Sequence, residues 1–292
     1  MAKKILITGS GGFVGKNLYQ MLQSDYDILG VGKTKKEYVD EGCDITDSEK
    51  LIGILNRFSP EVIVHLAALS NVERCEIEQD FAYEQNVKPA KILVDWADLN
   101  NARIVYVSTD YVYDGVKGNF TELDPENPIQ HYGRTKLEAE KIISKLSNHL
   151  VLRPTVIYGW DQVGMNFFMQ LYRNQKEGRI MKVPMDQISN PTYVQDFCRL
   201  VKTALESDLV GVFIATGPES MSRYEFALKI CAQMNFNSSL VIPVDTKSLG
   251  QIALRPLNNS TSSKKVCDLL QFHFSNLENI NLSNFLQSAE QI

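Results

Sequence analysis

A short apolar run that passes straight into a glycine-rich turn and then an amphipathic helix leaves few folds open to this chain. Lys4 to Thr8 is such a run, ended by glycine, and reads as a buried strand. Gly9-Ser10-Gly11-Gly12-Phe13-Val14-Gly15 follows, with Leu18, Met21 and Leu22 marking one face of the helix behind it. Gly9 allows the tight turn, Gly12 lets the backbone approach a pyrophosphate, and Gly15 lets the helix pack on the strand. Main-chain N–H groups at the helix start then face the phosphates. A strand before and a helix after are the context that a dinucleotide fingerprint requires.

Strands and helices continue to alternate through the first half. Asp27 to Val31 is a second strand, ending at Gly32-Lys33-Thr34-Lys35-Lys36. An NAD site usually places a carboxylate about 20 residues beyond the fingerprint, on the ribose 2′-hydroxyl. Three lysines stand there first, which favours a 2′-phosphate and hence NADP(H), with NAD(H) as the alternative. Cys43 to Thr46 reads as a third strand, with Asp44 facing the adenine, and Thr46 or Asp47 caps the next helix. Glu61 to Ala67 is the fourth strand, where Ala67 and Ala68 suit close approach by a cofactor and His65 reads as a core residue. One long helix is expected from Asp80 to Asn100, carrying Asn86.

Arg103 to Ser108 is the fifth strand, and it presents Ser108-Thr109 at its carboxyl end. Beyond an irregular loop, a helix opens at Tyr132-Gly133-Arg134-Thr135-Lys136. Residues four apart share a helix face, so the Lys136 ammonium is expected near the Tyr132 phenol, favouring phenolate. Tyr132 could then exchange a proton with a carbonyl or alcohol oxygen that Thr109 helps to hold. Three Tyr-x3-Lys spacings occur in the chain. Tyr113–Lys117 crosses an Asp-Gly turn, and Tyr172–Lys176 has no hydroxyl-bearing strand end behind it. Only Tyr132–Lys136 combines a shared helix face with the Ser108-Thr109 strand end behind it.

His149 to Arg153 is a sixth strand, after which the alternation loosens. Helices are expected over Asn166 to Lys176, Val194 to Glu206, Ser222 to Met234, Ser262 to Leu270 and Leu282 to Ala289, with a strand at Val210 to Ala215. The fold expected is α/β, a doubly wound parallel sheet (Rossmann-like) with a smaller, mainly C-terminal α/β substrate lobe. Residues 1–158, completed by about 190–217, form the nucleotide-binding part, and 159–189 with 218–292 the lobe. Net charge is −5, which gives no support to nucleic-acid binding or a polybasic membrane contact. Five widely spaced cysteines without a Cys-x2-Cys pair speak for a reducing compartment and against a zinc site. No apolar run approaches the roughly 20 residues of a bilayer span. Together these features imply a cytoplasmic protein.

Several motifs resemble the extended short-chain dehydrogenase/reductase family, its dTDP-4-dehydrorhamnose reductase members in particular. They are Thr8-Gly9-x-x-Gly12-x-x-Gly15, Ser108-Thr109-Asp110-Tyr111-Val112-Tyr113-Asp114-Gly115 and Tyr132-Gly133-x-Thr135-Lys136-x-x-x-Glu140. Asp186-Gln187 with Pro191-Thr192, and Arg255-Pro256 followed by Asn258, extend the match over nearly the whole chain. The resemblance implies Thr109, Tyr132 and Lys136 as the catalytic group, with Asn86 in support. It also implies an NADP(H) site formed by Gly9, Gly12, Phe13, Val14, Gly15, Lys33, Asp44, Ile45, Ala67, Ala68, Tyr132, Lys136 and Pro154. The substrate it implies is a nucleotide-linked 4-keto-6-deoxy sugar, reduced at the ketone and held by Ser70, Asp110, Asn166, Thr192 and Arg255. A homodimer is compatible with the resemblance, and no acidic signature for a metal is present.

Two departures fall where a sugar would sit. Val156 stands where these reductases commonly carry tryptophan, and Leu69-Ser70-Asn71-Val72 replaces a Thr-Ala-Val-Asp type of segment. Dehydratases of the family carry Asp-Glu after the threonine, whereas Asp110-Tyr111 follows here, and the lysines disfavour an epimerase retaining NAD. The regulatory β subunit of methionine adenosyltransferase also resembles these reductases, binds NADP and serves chiefly as a partner. That leaves a non-catalytic role as the alternative from another class.

Overall fold

The computed structural model describes residues 2–164 and 166–283. Its centre is a parallel sheet of seven strands: β1 (Lys4–Thr8), β2 (Asp27–Gly32), β3 (Glu41–Gly42), β4 (Val62–His65), β5 (Arg103–Val107), β6 (His149–Arg153) and β7 (Gly211–Ile214). Their spatial order is β7-β6-β5-β4-β1-β2-β3. All neighbours pair in parallel. The order reverses between β1 and β4, so the carboxyl ends of those two strands diverge into a crevice, the usual ligand position in such a sheet.

Strand periodicity assigns each apolar side chain to a layer. Ile5, Ile7, Val62, Val64, Val105, Leu150 and Leu152 pack on one face, against helices α1 (Phe13–Leu22) and, from later in the chain, Val194–Leu205. Leu6, Ile63, Ile104, Tyr106 and Val151 point the other way, toward α2 (Ser48–Phe58) and two helices described below. Ile5, Leu6 and Ile7 have no solvent exposure. Each such side chain contributes roughly 1.5–3 kcal/mol by its burial.

The helix expected from Asp80 to Asn100 is two pieces, α4 (Gln79–Asn86) and α5 (Lys88–Asn100), and a short helix, α3 (Val72–Ile77), precedes them. Pro89 lies in the first turn of α5, where its missing N–H costs no internal hydrogen bond, so the chain breaks at Val87. The third strand sits at Glu41–Gly42, just before the expected residues, and Asp47 rather than Thr46 caps α2 by accepting the Lys50 N–H. The helix bearing Tyr132 and Lys136 is α6 (His131–Ile143), capped by Gln130. Next come α7 (Phe167–Lys176), α8 (Val194–Leu205), α9 (Arg223–Met234) and α10 (Lys264–Leu270). The loop expected at Asp186 to Thr192 contains two-residue strands at Ile188–Ser189 and Thr192–Tyr193. Of the last expected helix, residues 284–289 lie outside the described part.

Two later elements join the sheet. Strand β7 pairs with β6, and α8 covers the β1–β4 face. A separate apolar cluster unites Phe168 and Leu171 of α7 with Phe226 and Ile230 of α9 and with Val183 and Val241. Those valines belong to a parallel pair, Met181–Pro184 with Val241–Val244. Val156, packed against this cluster, and Arg223 of α9 line the crevice.

Candidate active site

The crevice is a cleft of about 760 Å³ running from the glycine turn to the start of α6. Its floor follows from the backbone. Gly9 takes φ +71°, in the left-handed region, and a Cβ there would strike the main chain at Ala67, 2.8 Å away. Gly12 is the N-cap of α1 and no side chain caps that helix, so its first-turn N–H groups have no side-chain acceptor. Uncapped donors at a glycine turn suit a phosphate group, so the residues present fit a dinucleotide. Every residue assigned to the cofactor from the sequence lines this one cleft: Gly9, Gly12, Phe13, Val14, Gly15, Lys33, Asp44, Ile45, Ala67, Ala68, Tyr132, Lys136 and Pro154.

The basic loop after β2 is more differentiated than its composition suggests. Lys33 Nζ pairs with Asp44 Oδ2 at 2.8 Å, which holds the Asp44 carboxyl below its ordinary range. Lys36 lines the cleft, and its methylenes lie against Gly11. Of the three lysines read for a 2′-phosphate, Lys33 and Lys36 line the cleft, and Gly11 and Gln85 are cleft residues beyond those assigned from the sequence.

At the other end, β5 delivers Thr109 and α6 delivers Tyr132 and Lys136 to one place. Tyr132 and Thr109 line the cleft together, and Thr109 Oγ1 donates to Asp110 Oδ1 at 3.2 Å and accepts the Tyr111 N–H. Gly133 is required beside Tyr132, since a Cβ there would collide with the Tyr111 carbonyl oxygen. Lys136 Nζ donates to the Val107 carbonyl at 2.7 Å and stands 4.1 Å over the Tyr106 ring. Arg153 anchors the arrangement from below. Buried beneath α6, it pairs with Glu140 and Glu126, each at 2.6 Å, and donates to the Tyr113 hydroxyl at 2.8 Å.

Electrostatically the pair differs from the simple expectation. Burial, with Asp110 next in size, raises the Tyr132 phenol above its usual value, while burial pulls the Lys136 ammonium down to about 7. The ammonium is spent on a carbonyl and a ring rather than on the phenol, so the expected depression of Tyr132 is corrected: this phenol keeps its proton. Burial also raises Asp110, to about 6, against hydrogen bonds that favour its charged form. His65 is a core residue, as read. Its Nδ1 meets the Thr8 hydroxyl at 2.7 Å, and burial lowers it to about 3.

The remaining assignments divide. Ser70 and Asp110 line the cleft. Asn86 does not: its amide accepts the Leu69 N–H and donates to Leu69 O and Thr135 Oγ1, bracing the segment beside α6. Asn166 caps α7, accepting the Met169 N–H and donating to Gly159 O. Thr192 is buried, donating to Asn190 O and accepting the Gly217 N–H. Arg255 pairs with Glu73 at 2.5 Å and donates to Ala253 O. None of these last three is among the cleft-lining residues. Arg223 of α9 does line it, next to Tyr111, and no motif in the sequence marked it. Val156, at the position normally tryptophan in the reductases, lines it with φ +43°, an uncommon conformation for a β-branched residue.

Comparisons with known proteins agree with this layout. The family described as RmlD substrate binding domain matches residues 3–289. The dTDP-4-dehydrorhamnose reductase of Aggregatibacter actinomycetemcomitans is 32% identical over 278 residues, covering 90% of this chain and 92% of that protein. Methionine adenosyltransferase 2 subunit beta of Rattus norvegicus is 32% identical over 277 residues, covering 91% and 82%. The structure of Bacillus anthracis dTDP-4-dehydrorhamnose reductase in complex with NADP superposes with a TM-score of 0.89 at 30% identity, covering 99% and 100% of the two chains. The glycine turn, the reversal of strand order and the Thr109–Tyr132–Lys136 cluster therefore belong to a member of the RmlD substrate binding domain family, within the extended short-chain dehydrogenase/reductases.

Proposed function

We propose that the chain is an NADPH-dependent reductase of a nucleotide-linked 4-keto-6-deoxy sugar. The observation that carries this reading is the continuity of the cleft: the uncapped glycine turn at one end and the Thr109–Tyr132–Lys136 cluster at the other line a single space. The Bacillus anthracis relative, solved in complex with NADP, supports the choice of cofactor. When bound, NADPH supplies a hydride. Gly9, Gly12 and Gly15 would take its pyrophosphate, Lys36 and Lys33 its 2′-phosphate, and Ala67, Ala68 and Pro154 would pack against it.

The chain's own part is proton transfer and positioning. Thr109 and Tyr132 hold the ketone oxygen, and Tyr132, protonated at neutral pH because burial raises its pKa, donates the proton as that oxygen gains charge. Lys136 in its ammonium form stabilises the phenolate left behind, an effect enlarged by the low-dielectric cleft. Ser70 and Asp110 face the sugar. Asn86 acts at one remove by fixing Leu69 and Thr135. In this reading residues 1–158 with about 190–217 form the cofactor part, and 159–189 with 218–292 form the substrate lobe.

The test is NADPH oxidation against a panel of dTDP-, UDP- and GDP-linked 4-keto sugars, comparing wild type with Tyr132→Phe. Turnover in the wild type and a loss of about 10²–10⁴-fold in the variant, with NADPH affinity kept, is expected. Equal turnover in the variant would sink the mechanism. A second reading rests on the similarity to the rat methionine adenosyltransferase subunit: a regulatory protein that binds NADP without turning it over. Tight NADPH binding with no oxidation across the whole panel would favour it.

A further inference from the structure

We propose that Arg223 is the residue that recognises an oxyanion of the substrate, beside the reacting carbonyl. The proposal deepens, and rests on, the nucleotide-sugar reading. The resemblance pointed to Arg255 as a residue holding the substrate, but its guanidinium is already satisfied by Glu73 Oε1 and the Ala253 carbonyl. The other Glu73 oxygen accepts the N–H groups of Ile252 and Ala253, so that carboxylate is spent as well. Arg223 has no such partner: it forms no ion pair with a carboxylate among the described residues.

Its surroundings aim it into the cleft. Arg223 opens α9 and is only partly exposed, with its guanidinium 5.3 Å over the Phe167 ring, and it lines the cleft together with Tyr111. Tyr111 in turn meets Tyr132 edge-on, with ring centroids 6.1 Å apart. Asp110, which lines the same cleft, has its oxygens engaged by Thr109 at 3.2 Å and by Asn259 at 2.7 Å. A guanidinium cannot shed its charge in a protein and carries five N–H donors in a planar fork. Held partly desolvated beside a second cation, it gains most from a bidentate oxyanion, phosphate or carboxylate. A nucleotide-linked substrate brings that chemistry either as its diphosphate or as a carboxylate on the sugar.

The test is calorimetric titration of the full chain with UDP and dTDP against uridine and thymidine, and with UDP-glucuronate against UDP-glucose, in wild type, Arg223→Gln and Arg223→Lys. A charged hydrogen bond of this kind is worth roughly tenfold to a hundredfold in affinity. If the diphosphate is the anion, Arg223→Gln lowers UDP or dTDP affinity by that factor, leaves nucleoside and NADPH affinity within about twofold, and Arg223→Lys recovers part of the loss. If the carboxylate is the anion, the wild type prefers UDP-glucuronate and the Gln variant loses only that preference. Unchanged affinity for all the anionic probes in Arg223→Gln, or a wild type that binds nucleosides as tightly as their diphosphates, would overturn the proposal. Oxyanion binding that depends on Arg223, without ketone reduction, would instead defeat the reductase reading and leave Arg223 standing.

Discussion

The two halves of the cleft are built from different materials. The glycine-turn half is main chain: a left-handed Gly9, an uncapped helix start and small residues at the ends of β1 and β4. The half proposed to face the sugar is side chains brought together from distant parts of the sequence, such as Asn259, which donates to Asp110 across 149 residues. Main-chain geometry leaves a mark in sequence because only certain residues allow it. Long-range side-chain contacts leave none, and the two halves accordingly differ in how far the residues alone foretell them.

A first way to break the comparison is to loosen the support of the side-chain half. Arg153 is buried with Glu140 beneath the helix that carries Tyr132 and Lys136. Glu140→Gln leaves a buried guanidinium with only the half-buried Glu126 to balance it, and should cost about 3–5 kcal/mol of stability in chemical denaturation. The double variant Glu140→Leu, Arg153→Met should cost much less. Equal losses in the two would show that packing, not charge pairing, holds α6 in place.

The next effect is on pH dependence and concerns the catalytic end. Lys136 is pulled down by burial to about 7, while Tyr132 is raised and keeps its proton. The rate constant kcat/KM for reduction should therefore fall as pH rises through about 7, by up to tenfold per pH unit, as the ammonium is lost. The stability sign is opposite. Between about pH 7 and the unfolded value near 10.4 the unfolded chain binds the extra proton, so stability rises with pH across that window. Lys136→Met should flatten both profiles, and a flat wild-type rate profile would contradict the role given to Lys136.

The smallest effect sharpens the division on the sugar side. Asn166 was a reasonable candidate for gripping the substrate, but it caps α7 with both ends of its amide engaged. Asn166→Ala should lower stability by about 1 kcal/mol, as cap losses do, and leave KM for the sugar unchanged. A large rise in KM without loss of stability would return Asn166 to the substrate.

Much of the fold was legible because buried strands and glycine turns are local patterns. Six of the seven strands overlap their expected residues, and β3 lies immediately before its own. The helix expected as one piece breaks at Val87 because Pro89 tolerates only a first-turn position, which periodicity alone does not show. Tyr132 and Lys136 could be separated from two chance pairs by the strand end before them. Arg223 could not be found that way, because it sits on an ordinary amphipathic helix whose relation to Tyr111 exists only after folding. Asn166, Thr192 and Arg255 were polar residues in suggestive places, and the fold uses all three to satisfy its own backbone or to pair with Glu73.

The central claim is that the Thr109–Tyr132–Lys136 end of the cleft performs carbonyl reduction with a proton from Tyr132. The most direct measurement is NADPH oxidation with nucleotide-linked 4-keto sugars in wild type and Tyr132→Phe, alongside NADPH titration by fluorescence. The account predicts turnover in the wild type, a loss of about 10²–10⁴-fold in the variant and unchanged cofactor affinity. Full activity in Tyr132→Phe, or no oxidation of any such sugar by a wild type that binds NADPH, would contradict it.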